Sequence, residues 1–433
     1  MPHAQSRFNA IGQGCFYSCE VFCEDGRAPL ELVYDCGSVT RGGALQREIA
    51  AFHQQLQNRP LDMLVLSHLD ADHVNGLPLL LDGSITVRSA FLPYLTPIQR
   101  FIAASASADE PDPDYFELLA DPISFLRARE VENIVFVGGG GETGSTSAGG
   151  NPLPEAGPSD PLPNLDNLEE DQRGAALFRK LEGRRPGPRV HFKTHSRSFW
   201  INQCWYGMFF HKDEIWPIIS NMRRRPDLSI SAGDTPIAKR YKKFFNEVNG
   251  HFGTLDPITL MPAIRNPRER KFLRAAYQHI EGNHNDVSLV LWHGPRRGRA
   301  HVALMTQPYP ANMWPSHHHV VEGQGGSLLT GDITCTDPVV DRMQLHLGPL
   351  LSAVDCFQVP HHGSAVSWND RLLTSLGKDT FFVISAGLHN TYNHPDPRVI
   401  GSLEEVNGMH GWFRSDESNP VAIDIRVASG PHP

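Results

Sequence analysis

Cysteine is scarce in this chain, with seven in 433 residues and no Cys-x-x-Cys pair among them. That usage offers neither a zinc ribbon nor a dithiol redox motif. Cys15, Cys19 and Cys23 recur every four residues in a stretch that reads as strand, where positions of one parity share a face. They are expected to be small core fillers in a reducing compartment. No run approaches the roughly 20 apolar residues of a membrane span, and the N-terminus lacks an apolar signal core. A cytoplasmic protein with no membrane partner is the expectation. The glycines at 138–141 have no lysine beside them, which argues against a phosphate-cradling loop. Residues 138–166 read instead as a Gly/Pro/Ser-rich linker.

What remains is a soluble globular composition, 40% hydrophobic and 20% charged, long enough for one large domain or two ordinary ones. Positive charge is unevenly spread. Residues 176–300 hold 23 of the 39 Lys and Arg but only 10 of the 48 Asp and Glu, a surplus of 13 positive charges. The rest of the chain is correspondingly acidic. The basic residues cluster as Arg184-Arg185, Arg223-Arg224-Arg225, Lys239-Arg240, Lys242-Lys243 and Arg268 to Arg274. Aromatics interleave with them: Phe192, Phe199, Trp200, Trp205, Tyr206, Phe209, Phe210, Tyr241, Phe244 and Phe245. Basic residues position phosphates and exposed aromatics stack on bases. The same pattern also describes a solvated basic face over an ordinary aromatic core, and sequence alone does not separate the two.

The chemistry is densest at Ser67-His68-Leu69-Asp70-Ala71-Asp72-His73-Val74-Asn75-Gly76. The apolar run Met63 to Leu66 leads into it as a short buried strand, and Leu77 to Leu81 follow with helical character. Four potential metal ligands, His68, Asp70, Asp72 and His73, thus crowd a loop at a strand end, where scaffolds place function. Carboxylates and imidazoles at this density are costly to desolvate unless a cation holds them. A polar loop capped by Asp72 is the plainer reading.

The order His-x-Asp-x-Asp-His-x-x-Gly resembles the metal motif of the metallo-β-lactamase-fold hydrolases. Asp70 stands where the commoner pattern has a second histidine, and this version resembles the hydrolase domain of bacterial DNA-uptake competence channels. Further motifs carry the resemblance. The strand Leu30 to Tyr34 ends in Asp35-Cys36-Gly37, whose aspartate the family uses to brace the metal loop. His284 precedes Ser288 at the spacing of a third-motif histidine. Leu328-Leu329-Thr330-Gly331-Asp332 ends a strand with the aspartate that bridges two metals in the family. Val359-Pro360-His361-His362-Gly363 and Asn393-His394-Pro395 resemble later motifs. The run His317 to His319 has no familiar ligand spacing and reads as loop.

The resemblance covers about 8–137 and 283–430. It implies a four-layer αββα sandwich, an α/β fold made of two halves, 1–137 and 281–433. Between them lie the linker and a basic insertion, 167–280, expected to protrude as a subdomain of its own. It further implies two divalent metal ions, manganese or zinc with magnesium possible. His68, Asp70 and His284 are expected at one ion, Asp72, His73 and His362 or His394 at the other, and Asp332 between them. Trading imidazole for Asp70 hardens the site toward manganese or magnesium. Asp72, His361 and His394 are the expected catalytic groups. The reading that follows is a phosphodiesterase, foremost a nuclease, gripping DNA or RNA through Arg223, Arg224, Arg225, Lys239, Arg240, Lys242 and Lys243. Its alternatives are hydrolysis of a small ester, lactam or cyclic nucleotide, and a regulated effector whose insertion docks a protein partner.

Overall fold

A computed structural model of the chain describes residues 1–23, 26, 28–138, 165, 168–202, 204–212, 228–280, 288–296, 299–305, 319–407 and 411–428. Its short apolar runs assemble into two sheets. The first has ten strands, in the order β12 (His319–Gly323), β11 (Ala300–Met305), β17 (Val421–Val427), β1 (His3–Phe8), β2 (Gly14–Phe22), β3 (Leu30–Ser38), β4 (Leu61–Val65), β5 (Val87–Pro93), β6 (Val131–Gly138) and β7 (Val190–Thr194). The second has seven, in the order β16 (Trp412–Ser415), β15 (Phe381–Ser385), β14 (Val354–Gln358), β13 (Gly326–Leu329), β10 (Leu289–Pro295), β9 (Trp205–His211) and β8 (Ser198–Trp200).

Strands β3 to β7 run parallel to one another. Their crossovers need helices, which cover the outer face. These are α1 (Ala44–Leu56), α2 (Ala71–Val74), α3 (Leu77–Leu80), α4 (Pro97–Ala106), α5 (Pro113–Ala120), α6 (Pro122–Arg127) and α7 (Gln172–Glu182). The periodic residues Leu45, Ile49, Phe52 and Leu56 are the buried face of α1. Between Pro113 and Arg127 the chain forms two helices and not one. Asp121 caps the second by accepting from Ser124 N–H, and Pro122 opens it, so the chain turns there.

Two apolar layers hold the stack together. Tyr17, Val65 and Phe91 of the first sheet meet Phe209, Leu291 and Phe357 of the second in one buried cluster. Leu64, Ala90 and Ile134 face the other way, into the helices. Val340 and Met343 of α10 (Asp337–Leu347) and Val399 and Leu403 of α11 (Pro397–Asn407) join the inner cluster from the far side of the second sheet. The layers are therefore helix, sheet, sheet and helix, the four-layer αββα sandwich.

The basic insertion is not a subdomain of its own. β7 extends the first sheet beside β6, while β8 and β9 extend the second beside β10. The reason lies in the residues: Trp205-Tyr-Gly-Met-Phe-Phe-His is buried at every position, so this strand completes a sheet core. The ten aromatics named above are all buried, from Phe199 and Trp205 at 0% exposure to Tyr206 at 4%. They are core residues, so of the two readings of the pattern the rings follow the aromatic core. Among the described residues of the segment, α7 lies on the outer helical face, and α8 (Pro236–Phe252), α9 (Pro267–Tyr277) and the turns between them lie outside the sheets, with α9 packed on α4 and α8. Arg270 of α9 stands over the Phe116 ring of α5 at 3.8 Å. Of the linker 138–166, all but residues 138 and 165 lie outside the described residues.

Cys23 and Cys204 form a disulfide that ties the end of β2 to the turn between β8 and β9, across the two sheets. The expectation of a core filler is thereby corrected for Cys23. Cys15 and Cys19 are buried free thiols. No helix among the described residues is long and apolar enough to cross a membrane.

A second tie between the sheets is polar. His293 of β10 is buried, with Nδ1 accepting from Trp205 Nε1 at 3.1 Å and Nε2 3.0 Å from the Tyr17 hydroxyl. Indole nitrogen only donates, so the ring is the neutral tautomer carrying its proton on Nε2. Burial pushes its pKa down to about 3. A histidine depressed from about 6.5 in the unfolded chain binds its proton first on unfolding. Its contribution is present above pH ~6.5 and is lost as pH falls toward about 3. The expected loss is on the order of 4–5 kcal/mol across that window. Denaturant unfolding at pH 7, 5 and 4 checks this. A slope as steep in His293→Phe as in the parent chain would refute it.

Candidate metal centre

The centre is built at the carboxyl ends of β3, β4 and β13 and in the turn after β14. Asp35, at the end of β3, is fully buried with a left-handed backbone, φ 57°. Its Oδ1 accepts from Ser67 N–H at 2.6 Å, and its Oδ2 accepts from the Ser67 hydroxyl at 2.6 Å and from His73 Nδ1 at 2.7 Å. Two residues on, a Cβ at Gly37 would lie 2.5 Å from Val74 N and 2.6 Å from the His73 carbonyl carbon. Only glycine lets the strand approach the metal loop so closely. Asp35 thus braces the loop and points its oxygens away from the centre.

These bonds fix the tautomers. The one hydroxyl hydrogen of Ser67 goes to Asp35, so Ser67 Oγ must accept from His68 Nδ1–H, 2.8 Å away. His73 Nδ1–H is spent on Asp35, and His362 Nδ1–H on the Ser385 carbonyl at 2.7 Å. In each neutral ring Nε2 then carries the lone pair, and all three Nε2 atoms face one space. His73 Nε2 is 3.1 Å from Asp332 Oδ1, and His362 Nε2 is 3.7 Å from the same oxygen and 3.2 Å from Asp72 Oδ2. His68 Nε2 lies 3.9 Å from Asp332 Oδ2 and 3.7 Å from Asp70 Oδ2.

Lone pairs aimed at carboxylates at these distances repel unless a proton or a cation lies between them. The ligand atoms of Asp72, His73, Asp332 and His362 lie within 4.8 Å of one another. The buried Nε2 atoms of His68 and His73 make no hydrogen bond among the described residues. This donor set fits a divalent metal ion. Its electrostatics agree. Burial acts to lower the His73 pKa, yet Asp332 and Asp35 hold it well above the ordinary value. Burial acts to raise the Asp332 carboxyl, yet His361, His73 and His362 hold it well below. The site favours positive charge at its middle.

Asp332 faces two groups at once. Its Oδ1 turns to His73 and His362, while its Oδ2 turns to His68 and, at 3.5 Å, to His361 Nε2. His361 and His362 both have left-handed backbones, φ 50° and 56°. Such residues cost about 1–3 kcal/mol each and persist where surrounding contacts fix them. Here His361 N–H donates to the Gly331 carbonyl at 3.0 Å, and its ring Nδ1 is 2.9 Å from Ser367 Oγ. His394 is set back from the cluster, its ring 5.8 Å from that of His361.

The structure therefore gathers His68, Asp70, Asp72, His73, Asp332 and His362, with His361 at the edge and His394 behind it. His284, Arg223, Arg224 and Arg225 lie outside the described residues. Lys242 is paired with Asp234 at 2.8 Å, Lys239 is half-buried, and Arg240 and Lys243 are exposed on α8. Sequence reading missed Ser67 and Ser288. Ser288 Oγ accepts from Asp332 N–H at 3.1 Å and lies 3.5 Å from His68 Nδ1. Serine adjoining a histidine motif was the available signal for the first, and the second entered only as the reference point for His284.

Residues 31–164 match the family described as the metallo-beta-lactamase superfamily. The match spans less than a third of the chain. The matched stretch includes the bracing Asp35 and the whole metal loop. Asp332 and His362 lie beyond the match and reach the same centre by folding. No curated protein matches the sequence. Among solved structures, zinc-bound PqqB from Methylobacterium extorquens aligns over 96% of this chain and 99% of its own, at 11% identity and a TM-score of 0.32.

Proposed function

We propose that this chain hydrolyses phosphodiesters, with nucleotides or nucleic acid as substrate, at two divalent metal ions. The observation that carries the reading is the donor set. Three carboxylates, Asp70, Asp72 and Asp332, share one space with three imidazoles, and Asp332 turns an oxygen to each side. So anionic a cradle is poor at making hydroxide alone and suits an anionic ester neutralised jointly by two metals. Manganese or zinc is the proposed metal. Asp72, His73 and His362 would hold one ion, His68 and Asp70 the other, with Asp332 shared. Bound there, the ions supply an activated water and charge neutralisation.

The chain's own residues do the rest. Asp35, Ser67 and Ser385 lock the imidazoles with Nε2 inward. His361 and His394 stand at the open side, where a proton must reach the leaving oxygen. The resemblance to competence-channel hydrolases supports the phosphodiester class. Burial of the insertion's aromatics favours a second reading, hydrolysis of a small ester, lactam or cyclic nucleotide, over a long nucleic-acid track.

Metal-reconstituted protein is expected to cleave DNA, RNA or a small phosphodiester, to lose the activity on chelation and to regain it with manganese or zinc. Hydrolysis of carboxylic esters or lactams with no phosphodiester cleaved would overturn the proposal. Replacing Arg223, Arg224 and Arg225 by alanine together is expected to weaken nucleic-acid binding. Its salt dependence should flatten by up to ~0.9 log units per lost phosphate contact. A small phosphodiester should be cleaved as before. Equal loss on both substrates would assign the insertion a different role.

A further inference from the structure

One aromatic ring at the centre's rim is turned outward. Tyr392 is 59% exposed, and its ring lies against that of His394 with an interplanar angle of 16° and centroids 6.1 Å apart. The His394 ring meets His361 at 5.8 Å, and His361 Nε2 is 3.5 Å from Asp332 Oδ2. A continuous file of rings thus runs from solvent to the carboxylate shared by the two donor groups.

The loop carrying Tyr392 is held firmly for an exposed one. Asn390 Oδ1 accepts from Tyr392 N–H at 3.1 Å and from His394 N–H at 3.0 Å. Its Nδ2 donates to the Gly387 and His394 carbonyls at 2.7 and 2.6 Å. A rigid exposed aromatic loses little freedom when a flat ligand stacks on it. Arg274 of α9 lies within electrostatic reach of the Tyr392 hydroxyl, and its Nη1 donates to the Ala106 carbonyl at 2.8 Å.

An exposed π-face beside a polyvalent metal cradle matches one ligand chemistry, a planar base carrying a phosphate. We propose that Tyr392, backed by His394, is a base-stacking subsite that seats the nucleobase next to the phosphate held at the centre. This rests on the phosphodiesterase reading and names the part of the substrate that reading leaves open. Every base has a π-face, so the subsite selects nucleotides over base-free phosphates and does not read sequence.

Titration calorimetry of the metal-loaded protein with AMP and with ribose 5-phosphate tests it. AMP should bind about ten-fold more tightly than the base-free sugar phosphate. Tyr392→Ala should abolish that advantage while leaving ribose 5-phosphate affinity unchanged, which also reports an intact fold, and Tyr392→Phe should retain it. No AMP advantage in the parent chain, or one that survives in Tyr392→Ala, overturns the subsite whether or not phosphodiesters are cleaved. An AMP advantage lost in Tyr392→Ala, in a protein that cleaves no phosphodiester, would leave the subsite standing and remove the phosphodiesterase reading.

Discussion

Replacing Asp332 by alanine is expected to lower turnover by about 10³-fold or more and to reduce bound metal, with the fold preserved. The carboxylate is buried and turns one oxygen to His73 and His362 and the other to His68 and His361. Asp70 stands by His68 and Asp72 by His362, each on one side of the centre, so neither takes over its place. Loss of the fold is not expected, because the carboxylate's neighbours are the very imidazoles it serves, while the Asp332 backbone bond to Ser288 remains. Asp72→Ala should act in the same direction, since Asp72 Oδ2 is the near partner of His362 Nε2 at 3.2 Å. Metal content by elemental analysis and cleavage of a small phosphodiester are the measurements. Full activity with undiminished metal in Asp332→Ala would count decisively against a centre built on this residue.

The metal loop was legible in the sequence because its donors fall within six residues, at a strand end that apolar periodicity marks by itself. Asp332 and His362 were legible only through resemblance, since nothing local says that strands β13 and β14 end beside β4. The fold followed from short apolar runs, and Leu45 to Leu56 even gave the buried face of α1. The insertion misled. Its aromatics alternate with basic residues, and interleaving of this kind looks the same whether the rings face solvent or a sheet core. What decided it was pairing: β9 hydrogen-bonds along β10, which lies some 80 positions later in the chain. The Cys23–Cys204 link was hidden for the same reason, at a separation of 181 residues. Long-range pairing is what local pattern cannot express.

The bracing aspartate offers a sharper test of how the centre works than any ligand does, because Asp35→Asn changes only what Asp35 can accept. An asparagine suits the left-handed backbone at φ 57°, and its carbonyl oxygen can still accept from Ser67 N–H. Its amide nitrogen, however, can only donate toward Ser67 Oγ and His73 Nδ1, where the carboxylate accepted at 2.6 and 2.7 Å. His73 Nδ1 must then become an acceptor, so the ring proton moves to Nε2, the atom that faces the metal. Ser67, no longer giving its hydrogen to Asp35, can turn it toward His68 Nδ1, and that ring shifts the same way. Two lone pairs leave the centre without the loss of a single ligand. Metal affinity is expected to fall by about 10- to 100-fold, the usual effect of removing a carboxylate behind a ligating histidine. Competition against a chromophoric chelator measures the affinity, and long-range ¹H–¹⁵N correlation of the imidazoles reads the tautomers in the metal-free protein. Asp35→Asn with parental affinity and Nδ1-protonated rings would mean that the strand, and not the proton map it imposes, holds the site in order.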